Sequence, residues 1–144
     1  MLRDQGTETM DSKVLDDLTV ADFNADTVRA YRTRFRAARQ GSSWTDLDDE
    51  RFLRAVGAAM VSREDGKLHP TFGGLLMFGN DYDIVRECPH YFLDYQETLD
   101  PAIRWTDRVH SGDGMWSGNL FDFFFRVNRK LAESLKTPFK LNGI

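Results

Sequence analysis

Apolar side chains recur along residues 26–39 at the interval of an α-helix: Val28, Tyr31, Phe35 and Ala38 are spaced by three, four and three residues and so share one face. Asn24 or Asp26 supplies the short side-chain acceptor that caps such a helix, and Gly41-Ser42-Ser43 ends it. A second helix is predicted over 48–60, with Asp48 as N-cap, Leu47 and Phe52 placed as a hydrophobic staple, and Phe52, Leu53, Val56 and Met60 as its buried face. Val61 to Leu68 then turns at Asp65-Gly66, a good two-residue hairpin signal. The short apolar run Phe72 to Gly79 is ambiguous by period. Thr71 as cap and Gly79 as stop favour a helix over 71–78, while the Gly73-Gly74 pair implies that another backbone packs closely against it.

From His90 the period changes to two. Tyr91, Leu93 and Tyr95 alternate with Phe92, Asp94 and Gln96, and Ile103, Trp105 and Val109 repeat the pattern, so 90–97 and 102–109 are expected to pair as an antiparallel hairpin. Ser111 to Gly118, with three glycines, is a loop. Asn119 caps a last helix over 119–136, with Asp122 in its first turn, and Thr137-Pro138 is expected to stop it. Leu120, Phe124, Val127, Leu131 and Leu135 are its predicted core stripe, with Phe121 and Phe125 to one side and Phe123 on another, an apolar arc wider than one face requires. The predicted class is α+β: three main helices and a short one packed with a small antiparallel sheet. Residues 1–25 are read as a polar lead-in from a preceding domain, packing lightly, with one helical turn near Lys13 to Leu18; 26–144 form a single domain truncated at its C-terminal end.

Composition narrows the class further. The 144 residues suffice for one core. A net charge of −4 excludes nucleic-acid binding through the overall field and leaves it to local patches. No stretch approaches the roughly eighteen apolar residues of a membrane span, and a single cysteine, Cys88, points to a reducing cytoplasm. Eleven Phe and three Trp exceed what a small core needs, so some of that surface is expected to face a neighbour.

Reactive groups are sparse. Cys88-Pro89-His90 is one Cys-x-His without a second pair at zinc spacing, so no metal site is predicted; His69, His90 and His110 are placed at loop edges, and Cys88 is taken as a small buried apolar residue. Asp81 and Asp83, or Asp94 and Glu97, are paired carboxylates of a kind common on solvated loops and strand edges. No Gly-x-Ser-x-Gly occurs, and the glycines fit neither a Walker loop nor a dinucleotide fingerprint, so no catalytic residue and no cofactor is predicted. One charge pattern stands out. Arg29, Arg32, Arg36 and Arg39 fall within about a quarter turn of the first helix, a stripe that can track phosphates or simply form a solvated face neutralised by Asp16, Asp17, Asp22 and Asp26. Phe121, Phe123 and Phe125 are the matching candidates for a protein interface.

Several stretches together resemble the central region of bacterial proteins that carry a Schlafen AlbA-like domain, described as transcriptional regulators or RecG-type ATP-dependent DNA helicase-related proteins. They are Trp44, Leu47-Asp48-Asp49 and Phe52-Leu53; Thr71 with Gly74 to Gly79; Pro89 to Glu97; Arg104 to Arg108; Trp116 with Gly118 to Phe121; and Pro138 to Leu141. The resemblance implies an AlbA-like domain that contacts nucleic acid or nucleotide before this region and a segment similar to a histidine-kinase-type ATPase fold with a winged-helix tail after it, and neither has motif positions here. The expected function is a non-enzymatic connecting and interaction segment of a multidomain transcriptional regulator, with the flanking domains of its own chain or a second copy as partners. A nucleic-acid-binding module built on the arginine stripe is the alternative, and a fragment of a helicase-like enzyme the third possibility.

Overall fold

The structure is a computed structural model that describes residues 9–98, 102 and 107–142. It is α+β, with five helices and two two-stranded antiparallel ribbons: α1 (Ala25–Ala38), α2 (Asp49–Ala55), β1 (Ala59–Val61), β2 (Leu68–Pro70), α3 (Phe72–Phe78), α4 (Asp81–Glu87), β3 (Asp94–Glu97), β4 (Asp107–His110) and α5 (Leu120–Asn142). Caps sit where short polar side chains were expected. Asn24, Asp48 and Thr71 accept from the backbone N–H of Thr27, Arg51 and Gly74 respectively.

Helix α2 is shorter than its apolar pattern suggests. Gly57, at φ +86°, donates to the Arg54 carbonyl, and Ala58 donates to that of Leu53 at 2.8 Å, a Schellman closure that only a left-handed residue after Val56 permits. The chain beyond it becomes β1, so Met60 is exposed rather than on a helical core face. The hairpin is also wider than the predicted two-residue turn. Ser62 N–H still bonds the Lys67 carbonyl, leaving Arg63 to Gly66 as the loop, because the side chains of Ser62 and Asp65 take up backbone N–H groups within it. Helix α4 runs through a stretch to which the sequence pattern assigns no element; its only fully buried apolar side chain is Ile84, too few for a period to be read.

Two apolar clusters form the core. Phe23, Val28, Leu53, Ala58, Ala59 and Phe78 make one, with Tyr31 packed on it; Leu15, Leu18, Leu75 and Ile84 make the other. Leu15, Leu18 and Phe23 belong to the lead-in, which is therefore part of the core instead of lightly packed. Its backbone is stitched to the hairpin end, Leu15 N–H to the Pro70 carbonyl and Phe72 N–H to that of Lys13, and its helical turns lie at Met10–Ser12 and Val20–Asp22. The first three positions of the α1 stripe pack as expected, Val28 in the core, Tyr31 5.0 Å from Phe78 and 5.7 Å from Phe121 between ring centroids, and Phe35 5.1 Å from Phe52, while Ala38 in the last turn is exposed. Strands β3 and β4 pair Asp94 with His110 and Glu97 with Asp107. Strand β3 is shorter than predicted, residues 90–93 being turn and extended chain, and the strand expected over Ile103 to Thr106 lies outside the described residues.

Two expectations about the last helix are corrected. It continues past Thr137-Pro138 to Asn142, since proline's fixed φ is itself helical and the residue removes one hydrogen bond without forbidding the geometry. More important, the stripe assigned to the core is the outer one. Phe121 is 8% exposed, whereas Phe124, Leu131 and Leu135 are 58%, 43% and 69% exposed. Partners on α1 decide this: Tyr31 receives Phe121, and the Arg34 guanidinium lies 3.6 Å from the centroid of the Phe125 ring. With that edge of a wide apolar arc turned inward, the neighbouring edge faces out.

Candidate functional site

The outward edge of α5 presents an apolar face, with Phe124, Leu131 and Leu135 exposed. Leu120, Phe124, Val127 and Leu131 recur at intervals of four, three and four residues, the spacing of a helix-pairing seam. Met77 of α3 extends it, and these side chains with Phe121 and Phe123 line a shallow groove of about 510 Å³ whose walls are almost wholly carbon. The three phenylalanines read as interface candidates are divided. Phe121 lies in the core, Phe123 stacks on Trp116 with centroids 5.9 Å apart, and Phe125 sits under Arg34. Phe124, exposed beside them, has the contact surface they were expected to supply.

The arginine stripe on α1 is also divided. Arg32 is mostly buried and fully employed: it pairs with Asp49 at 2.6 Å, donates to the Thr45 and Leu47 carbonyls, and lies over the Phe52 ring. It fastens the α1–α2 connection. Arg29 pairs with Asp26 one turn earlier, both in solvent, and Arg36 reaches the Thr45 carbonyl at 3.4 Å. Arg39 lines an open hollow with Phe35 and the exposed Trp44, whose rings stack at 6.1 Å.

Three helix ends meet at a buried polar hub. Asn119, 0% exposed, donates to the Gly79 carbonyl at 2.9 Å and to the Thr27 hydroxyl at 3.1 Å, while its own oxygen accepts from Asp122 N–H. The Asp122 carboxylate accepts from the hydroxyls of Thr27 at 2.8 Å and Ser117 at 2.5 Å. The start of α1, the end of α3 and the start of α5 are thereby joined, with the carbonyl of Gly79, the residue that caps the end of α3, satisfied by a side chain. Tyr91 closes one side, donating to the Gly118 carbonyl; burial, with Asp81 beside it, pushes its phenol well above the usual range and keeps the proton on the donor.

A second polar group lies around His69. This residue is buried in β2, not at a loop edge: its Nδ1 lies 2.6 Å from the Leu18 carbonyl and its Nε2 2.7 Å from Asp65 Oδ2. Asp16 Oδ1 stands 3.9 Å from the same Nε2. The Leu18 carbonyl, then Asp65, hold the His69 pKa above its ordinary value, and the Lys67 N–H, then His69, hold Asp65 below its own. Sequence spacing hinted at half of this, an Asp and a His four apart across a glycine turn; nothing marked Asp16 as their neighbour. Of the other soft groups, Cys88 is half-buried at the end of α4, His90 is exposed, and His110 lies in β4. Asp81 and Asp83 stand in the first turn of α4, both pushed up chiefly by burial. Among the described residues no helix is long and apolar enough to cross a membrane.

A family model matches residues 1–94, that of a domain of unknown function, DUF8451. No curated protein and no solved structure matches the chain.

Proposed function

We propose that this chain, which belongs to the DUF8451 family, is an interaction module whose docking element is the outer face of α5. One observation carries the proposal: Phe124, Leu131 and Leu135 stand in solvent along one edge of a helix whose neighbouring edge is already packed, with Leu120 and Val127 half-buried in the same seam. Exposed leucine and phenylalanine aligned on one helix edge mark a surface that gains by being covered. The seam spacing favours another helix as the cover, and α5 of a second copy presents the same seam, a self-complementary arrangement of the kind two-fold dimers use. The resemblance to the central region of Schlafen AlbA-like regulators supports the wider setting, a connecting segment that holds the nucleic-acid-binding and ATPase-like parts of a larger protein in relation to each other.

Light scattering over a concentration series tests the docking face. The wild-type mass is expected to double with rising concentration. Leu131→Glu is expected to stay at the single-chain mass with an unchanged melting temperature, since the residue is exposed. A wild-type chain that remains single at several hundred micromolar would sink the self-pairing.

Nucleic-acid binding is a second reading, favoured by one local arrangement: Arg39 beside the exposed Trp44, a cation next to an aromatic face on which a base can stack. Binding of single-stranded DNA or RNA that weakens with salt and is lost in Trp44→Ala would support it.

A further inference from the structure

The polar group around His69 shares no residue with the seam of α5 and has no part in the docking proposal. Its geometry is that of a set of donors held from behind. His69 Nδ1–H is committed to the Leu18 carbonyl, which fixes the tautomer and presents the Nε2 lone pair forward. Asp65 Oδ1 is committed to the Lys67 N–H at 2.8 Å, which presents Oδ2 forward. Outer hydrogen bonds of this kind, an imidazole anchored to a backbone carbonyl and a carboxylate anchored to an amide, orient metal ligands. Asp16 supplies a third atom, and one donor atom from each residue lies within 4.8 Å of the other two.

We propose that Asp16, Asp65 and His69 bind a divalent transition-metal ion of the zinc type, which ties the N-terminal segment to the β1–β2 hairpin. Ligand bonds of about 2.0–2.2 Å place tetrahedral donor atoms about 3.4 Å apart. The separations of 2.7 and 3.9 Å from Nε2 to the two carboxylates bracket that figure. Asp16 is partly exposed and has room to adjust, whereas Asp65 is held by the Lys67 N–H and His69 is buried. An imidazole in the set selects zinc and its first-row neighbours over calcium and magnesium, which take oxygen donors. Three protein ligands leave a fourth position for water. Without an ion, the same residues form a histidine–aspartate pair, with a proton on Nε2 in the place the metal would take.

Zinc titrated calorimetrically into the whole chain, with the melting temperature followed in parallel, tests the site. One equivalent is expected to bind and to raise the melting temperature. Asp16→Asn, at an exposed position, is expected to melt like wild type without metal yet bind zinc at least about tenfold more weakly. Magnesium at the same concentrations is expected to leave the melting temperature unmoved. Zinc that fails to bind at a few hundred micromolar, zinc that binds Asp16→Asn as tightly as wild type, or magnesium that matches zinc would each overturn the proposal and leave a histidine–aspartate ion pair only.

Discussion

A Cβ built on Gly74 would stand 2.0 Å from the Ala58 carbonyl oxygen, while one on the adjacent Gly73 would meet nothing closer than 3.1 Å, at Asp11. Two neighbouring glycines on one short helix thus differ in kind. Alanine in a helix is worth about 1 kcal/mol over glycine, but overpacking against backbone costs about 1–3 kcal/mol or more, and at 2.0 Å the clash wins. Gly74→Ala is expected to lower unfolding free energy by at least about 2 kcal/mol in a denaturant titration, with Gly73→Ala far less affected. The glycine pair in the sequence announced a close approach without saying which glycine made it or to what, since the partner backbone, Ala58, is brought there by the hairpin. Met60 shows the converse. It lies four residues beyond Val56 and continues the helical period, but the left-handed Gly57 stands between them, and the conformation of one residue outweighs the pattern of several.

Helices with a cap and a single apolar stripe were legible element by element: α1 begins at the asparagine that satisfies its first turn, and α3 lies between its threonine cap and glycine stop. The candidate docking face was legible only as an excess. Phe121 to Phe125 announced more apolar arc than one core needs, but which edge turns inward depends on Tyr31 and Arg34, eighty or more residues earlier in the chain, and no local period encodes that choice. The β3–β4 ribbon supplies a prediction at this scale. Arg108 donates to both oxygens of Asp94, at 3.0 and 3.3 Å, and this holds the Asp94 carboxyl below the usual aspartate value. A carboxyl depressed in the folded state adds stability above its unfolded pKa of about 3.9, and loses it as pH falls through the folded value. Carboxyl carbon shifts followed by NMR are expected to give Asp94 a midpoint below that of a free aspartate, and Arg108→Gln is expected to move the midpoint upward. Equal midpoints in the two proteins would show that the pair is inert.

The whole molecule is closed by contacts that cross its length. Residues 1–94, the span of the family match, include Thr27 and Gly79, yet the side chain that satisfies both comes from Asn119. Removing that amide leaves the buried Gly79 carbonyl without this donor, at about 1–3 kcal/mol, and takes the N-cap from α5, at about 1 kcal/mol. Asn119→Ala is accordingly expected to cost roughly 2–4 kcal/mol in chemical denaturation, with loss of α5 helicity by circular dichroism. The hub was half legible: Asn119 read as a cap, but its bonds to Thr27 and Gly79 depend on how three helix ends are brought together. The cluster of Asp16 with His69 was not legible at all, because it needs the N-terminal segment stitched along the hairpin. That stitching and the hub have one further consequence for α5. The helix is fastened at its first turn by Asn119 and again at Ser134, which donates to Glu97 of β3. A rod pinned at two points swings only if both give way, so a body that grips its outer edge also pulls on the start of α1, through Asn119 and Thr27, and on β3, through Ser134 and Glu97.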